Sequence, residues 1–112
     1  MTTVIARKLD ALEEKGAIKA VDVANILDVR PETVSRWRSG KAFPHAATQQ
    51  QLLMLEFMVD QLADLYEPQE ARMWLYSPQK LLGNRFPAEL VREGGVADVM
   101  DVIEQLRQGV FT

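Results

Sequence analysis

An all-α protein is predicted by three observations on this 112-residue chain. Apolar residues recur three and four positions apart through nearly every segment. Proline and glycine sit where helices would begin and end. No stretch alternates apolar and polar residues over a length useful for a strand. The expected architecture is a helix-turn-helix bundle, then a long helix, then a small C-terminal helical domain. The corresponding boundaries are residues 1–46, 47–67 and 68–112.

Taken in order, Ile5, Leu9 and Leu12 line one face of an opening helix that Gly16 is expected to stop. Residues 20–40 then spell two short helices around a tight turn. The first buries Val23, Ile26 and Leu27, with the small Ala24 where the helices cross closely. Asp28 tolerates the left-handed backbone that the turn needs, and Pro31 suits the first position of the next helix. Val34 and Trp37 bury one side of that helix, and Gly40 closes it. Lys41–Pro44 is a loop from which Phe43 is expected to plug the small core.

A long helix is expected from Ala47 to Tyr66, about 30 Å at 1.5 Å per residue. Its seam is Leu52, Leu55, Val59, Leu62 and Tyr66, suited to a partner helix from this chain or from a second copy. Pro68, Pro78 and Pro87 are each placed to open a short helix, with Ser77 as N-cap before Pro78. Gly83 and the Gly94-Gly95 pair punctuate these segments. A last helix from Val96 to Gln108 carries Val96, Val99, Met100, Ile103 and Leu106, and Gly109 stops it. Val110, Phe111 and Thr112 are left beyond that stop.

The pattern at residues 20–40 is how a helix is presented to a DNA major groove. At roughly 100° per residue, burying Val34 and Trp37 turns Glu32, Thr33 and Arg36 outward, with Ser35 at the edge of that face. Arg36 is the candidate base reader, because a guanidinium can bond a guanine edge at two points. Arg30 before the helix and Lys41 after it are placed for the phosphates on either side. Arg38, nearer the buried stripe, is assigned to a flanking phosphate or an ion pair. One short helix reads few bases, so two copies are expected on half-sites about 34 Å apart.

Charge agrees once the chain is divided. The net charge is -3, but residues 1–46 hold eight Lys and Arg against six Asp and Glu, and residues 47–112 hold five against ten. From Arg30 to Lys41 there are four basic residues and one acidic. Positive potential is therefore local to the second short helix. There is no cysteine, which removes disulfides, thiolate metal sites and cysteine nucleophiles. No apolar run approaches the ~20 residues that span a bilayer, and a soluble, cytoplasmic protein is expected. His45 is the only histidine and has no partner for a metal or a nucleophile. No phosphate loop or metal-ligand cluster is present, so neither an enzyme nor a cofactor is expected. Met54, Met58, Met73 and Met100 fall at apolar helical positions and are expected to pack, and Trp37 and Trp74 to anchor cores. The carboxylates Asp60, Asp64 and Glu67 fit a solvated helix face.

The C-terminal half resembles the toxin-binding domain of the Xre/MbcA/ParS antitoxin family. The resemblance rests on Trp74-Leu75-Tyr76-Ser77-Pro78, Leu81-Leu82-Gly83, Pro87, Glu89-Leu90-Val91, Gly94, Val99, Ile103 and Gly109-Val110-Phe111. With the preceding helix-turn-helix it spans residue 17 to the end, and it is nearest to short MbcA-type members that pair with RES-domain toxins. The resemblance implies an antitoxin that inhibits a RES-domain toxin degrading NAD and represses the operon encoding both. It implies that Gly109, Val110, Phe111 and Thr112 reach into the toxin's NAD cleft, on a domain held by Trp74, Pro78, Pro87 and Gly94. A short tail with an aromatic anchor and a free carboxylate suits a nucleotide pocket. Asn84 stands where many members have a second glycine, and Asp28 where glycine is common in the helix-turn-helix turn. The implied partners are the toxin, operator DNA and a second copy, as a homodimer or a larger assembly with toxin, and no membrane. The rival reading is a stand-alone helix-turn-helix regulator whose C-terminal half only oligomerises. A third is an interaction adaptor with a degenerate helix-turn-helix.

Overall fold

A computed structural model describes residues 3–109, which form seven α-helices and a single 3-10 turn, with no β-strand among them. The helices are α1 (Val4–Gly16), α2 (Ala20–Leu27), α3 (Pro31–Arg38), α4 (Ala46–Leu62), α5 (Pro68–Leu75), α6 (Pro87–Arg92) and α7 (Val96–Arg107). The 3-10 turn, Lys80–Leu82, lies between α5 and α6. α1 lies against α3, α4 and α5, α2 against α3 and α6, and α7 against α4 and α6.

A single apolar cluster runs from Ile5 to Ile103. The expected stripes supply much of it: Leu9 and Leu12, then Val23, Ile26 and Leu27, then Val34 and Trp37, and on α4 Leu52, Leu55, Val59 and Leu62. These positions recur at three and four, so each helix turns one continuous face inward. On α7, Val99 and Ile103 are buried as expected, joined by Val102, while Val96, Met100 and Leu106 are half-buried at its edge.

Several expectations are corrected. Gly16 is the last residue of α1 rather than its stop. Ala17 takes the left-handed conformation beyond it, at φ 52°, and its N–H bonds the Glu13 carbonyl. What Gly16 supplies is closeness, since a Cβ there would lie 2.7 Å from Val59 Cγ1 of α4. The long helix is shorter than expected and ends at Leu62, not Tyr66. Pro68 disfavours helical backbone at Glu67, and the Leu62 carbonyl accepts from the Leu65 and Tyr66 N–H groups in a tight turn. Pro78 opens no helix. Ser77 caps the end of α5 instead, its Oγ donating to the Met73 carbonyl at 2.5 Å. Phe43 does not plug the core: it is 66% exposed, and Pro44 beside it is buried. Met73 is 68% exposed, because Ala71, Trp74 and Leu75 already fill the inward face of α5. Of the other methionines Met58 is buried, and Met54 and Met100 are half-buried.

Asp28 and Asn84 both adopt left-handed backbone, at φ 58° and 64°. Short polar side chains bear that conformation better than most, which explains how this chain replaces glycine at both places.

Candidate functional site

α2 and α3 fold as the pattern requires. Asp28 turns the chain, Pro31 opens α3, and Val34 and Trp37 seat it on the core. Glu32 in the first turn and Arg36 and Arg38 in the last complement the helix dipole. Arg30, Glu32, Ser35, Arg36 and Lys41 are all exposed, and Thr33 is half-buried. The Lys41 N–H donates to the Arg36 carbonyl at 2.9 Å, so the loop carrying Lys41 is tied to the end of α3. Arg38 is drawn away into an ion pair with Asp10 of α1. Among the described residues Arg30, Arg36 and Lys41 have no ion-pair partner. Three cations without an ion-pair partner thus lie on and around one helix face, a local concentration of positive charge.

The preceding helix carries a feature that the sequence did not advertise. Asp22, on α2, is 5% exposed and is, among the described residues, the one buried charged side chain. Its carboxylate accepts from the Lys19 N–H at 2.9 Å, from the Tyr76 hydroxyl at 2.9 Å, and from the Arg72 guanidinium. Arg72 also donates to the Ala17 carbonyl at 3.2 Å and lies 5.0 Å from the Tyr76 ring centre. Burial pushes the Asp22 carboxyl upward, but the Arg72, Lys19 and Tyr76 hydrogen bonds and the Arg72 charge outweigh it and hold it below its ordinary value. Burial, then the bond to Asp22, pushes the Tyr76 hydroxyl up to about 12. A second bridge lies nearby, where Arg92 of α6 donates to Asn25 at 3.1 Å and to Asp28 at 2.8 Å. Both bridges join α2 or its turn to α5 and α6. The only local hint is Asp22 three residues after Lys19, an acid at a helix start; its arginine stands fifty residues away.

In the C-terminal half, Trp74 is 8% exposed and Pro87 is buried at the start of α6, whereas Pro78 is exposed. Trp74 and Pro87 therefore act through packing. Gly109 takes φ 71° and is exposed at the end of α7. Val110, Phe111 and Thr112 lie outside the described residues. The structure thus gathers the α3 residues on one surface and leaves Gly109 apart from them, at the far end of the last helix. Sequence reasoning also missed the exposed apolar side chains Leu81 and Phe86 between α5 and α6. Among the described residues no helix is long and apolar enough to cross a membrane, and no His, Asp and Glu groups converge as metal ligands.

A family model described as the antitoxin Xre/MbcA/ParS C-terminal toxin-binding domain matches residues 61–109, from the last turn of α4 to the end of α7. Over 108 residues the chain is 33% identical to the mycobacterial cidal antitoxin MbcA of Mycobacterium tuberculosis and Mycobacterium bovis, covering 96% of each chain. The chain belongs to the Xre/MbcA/ParS antitoxin family. A more distant member, the probable mycobacterial cidal antitoxin Rv3188, is 29% identical over 92% of this chain and 87% of its own. Among solved structures, the fold overlays a chain of the M. tuberculosis MbcT-MbcA toxin-antitoxin complex with a TM-score of 0.85 at 33% identity, covering 98% of this chain and 99% of that one. The all-helical architecture, including the N-terminal helices that the family model does not reach, is therefore that of an antitoxin in this family.

Proposed function

We propose that this protein is the antitoxin of a cytoplasmic toxin–antitoxin pair, inhibiting a RES-domain, NAD-degrading toxin and repressing its own operon. The carrying observation is the overlay, along nearly the whole chain, on a solved structure of a toxin–antitoxin complex. In this reading residues 68–112 form the toxin-binding part. Gly109, Val110, Phe111 and Thr112 enter the NAD cleft, and Trp74, Pro78 and Pro87 support the domain that presents them. Residues 1–46 form the DNA-binding part, with residues 47–67 joining the two. Gly109, exposed and in a conformation open to few other residues, supports a tail that leaves the α7 axis. Deleting Val110–Thr112 is expected to restore NAD loss in cells carrying the toxin while leaving operator binding intact. A truncated protein that still protects them fully would move inhibition elsewhere on the surface.

DNA recognition is assigned to Arg36 as base reader, with Glu32 and Thr33 on the same face, Ser35 at its edge, and Arg30 and Lys41 on phosphates. The support is the unpaired state of the three cations together with the outward placement of α3. Arg36→Ala is expected to lose about 1–3 kcal/mol at selected base pairs, and Lys41→Ala to weaken all sequences alike with a flatter salt dependence. Mobility shifts on promoter fragments check both, and unchanged operator binding by Arg36→Ala would refute the assigned face. Operator reading requires two copies. Val4, Phe43 and Leu53 line a groove of about 380 Å³ between α1, the loop before α4 and α4 itself, with Phe57 exposed one turn further along α4, and this apolar face supports a homodimer. A lone homodimer with no toxin bound after co-expression would favour the stand-alone regulator.

A further inference from the structure

We propose that a groove between the 3-10 turn, α6 and α7 is a second anchoring point for the toxin, and that it takes a lysine or arginine side chain from the toxin's surface. The proposal rests on the toxin-binding reading above and assigns it a place on the folded part of the chain, apart from the tail. The groove encloses about 360 Å³, with Leu81, Leu82 and Leu90 along it and Asp98, Asp101 and Gln105 on its α7 side. Leu81 is 44% exposed although it is a large aliphatic residue with core close by.

Charge identifies the occupant. Among the described residues neither Asp98 nor Asp101 has a hydrogen-bond or ion-pair partner, and both are exposed. Their neighbours differ: Glu89 and Glu93 are held by Arg85 at 2.5 Å, and Glu104 by Arg107 at 3.4 Å. A cationic side chain has an aliphatic stem and a charged head, so it would lay the stem on the leucines and reach the two carboxylates with its head. A protein that handles a dinucleotide pyrophosphate needs basic side chains around its cleft, which makes the toxin a source of such a group. Position agrees as well. Asp98, Asp101, Gln105 and Gln108 follow one another at spacings of three and four, so they share a face of α7 that runs from the groove to Gly109. A toxin whose cleft receives the tail would meet the groove along that same face.

The test uses the full-length protein and the RES-domain toxin of its own operon, catalytically inactivated so that cells tolerate it. Asp98→Lys/Asp101→Lys is expected to bind this toxin about tenfold or more weakly at ~0.1 M salt, with the gap narrowing at ~0.5 M. Asp101→Asn alone is expected to give an intermediate loss, and Leu81→Gln a loss that persists at high salt. Operator binding should match wild type and every variant should unfold cooperatively, with a modest drop in thermal stability for the Asp98→Lys variant, which loses the first-turn acid of α7. Toxin binding by the lysine variant equal to wild type in strength and salt dependence overturns the groove while leaving the tail reading intact. Wild-type protein that binds no toxin overturns both.

Discussion

α1 meets α4 across an apolar seam whose charges stay at the rim. Lys8 reaches Glu56 at 2.8 Å and Lys15 reaches Asp60 at 2.6 Å, both pairs open to water. α2 meets α5 differently, through the Asp22 carboxylate enclosed within the contact and bonded to Arg72 and Tyr76. At the first contact packing sets the geometry and the ion pairs follow. At the second a buried charge must find its partners or the contact fails, so the polar groups dictate how α2 sits. The helix thus fixed leads directly into α3, which ties the pose of α3 to the C-terminal half.

The largest effect that would break this contrast comes from Asp22→Asn. It leaves volume almost unchanged but strips Arg72 of its charged partner; Arg72 is partly open to water, so a loss of about 2–3 kcal/mol in urea unfolding at pH 7 is expected. A loss as small as that from a rim pair would show that the two contacts are held alike. pH sharpens the comparison. The Asp22 carboxyl lies below its unfolded value of 3.8, so its contribution is complete above that pH and disappears as pH falls through the folded value. Tyr76 works in the opposite sense. Its folded value of about 12 exceeds the unfolded 10.0, so its contribution holds below pH 10 and is lost as pH rises towards 12. Asp22→Asn should therefore flatten the acid limb of the stability profile, and Tyr76→Phe the alkaline limb.

The next effect belongs to the apolar seam. Gly16→Ala adds one methyl group where Val59 Cγ1 stands 2.7 Å from the new atom. Both partners are backbone-anchored and β-branched or helical, so relief requires α1 and α4 to part, and about 1–3 kcal/mol of destabilisation is expected. Thermal unfolding measures it. A neutral or stabilising result, as helix propensity alone would give, would mean that the seam is looser than its geometry.

What the residues disclosed in advance follows the same division. Periodicity located the inward faces of α2, α3 and α4, because burial at three- and four-residue spacing is a local property of the chain. The outward position of Arg36 came with it, as the opposite side of Val34 and Trp37. Phe43 and Met73 were misplaced because exposure of an apolar residue depends on which other helix arrives to cover it. Asp22 was missed because Arg72 and Tyr76 approach only after the chain has folded back on itself. Gly16 carried a correct signal with the wrong cause, since a helix end and a close helix crossing both favour glycine. The α7 carboxylates could be seen as charges, but not as unpaired ones beside a leucine groove. That requires knowing where Arg85 and Arg107 spend their bonds.

The smallest effect is expected from Lys8→Met. The Lys8 ammonium and Glu56 carboxylate lie 2.8 Å apart, yet a quarter or more of each side chain remains open to solvent. Water and salt screen such a pair, and holding two long side chains together costs entropy, so its removal is expected to change stability by less than about 1 kcal/mol. Lys8 lines the α1–α4 groove together with Ile5 and Leu53, and methionine keeps an aliphatic stem there, which separates loss of charge from loss of packing. Urea unfolding at low and high salt checks the prediction: the small difference should vanish as salt rises. If Lys8→Met cost as much as Asp22→Asn, the Lys8–Glu56 pair would be as essential to the α1–α4 contact as the enclosed carboxylate is to α2 and α5, and the apolar seam alone would not hold α1 in place.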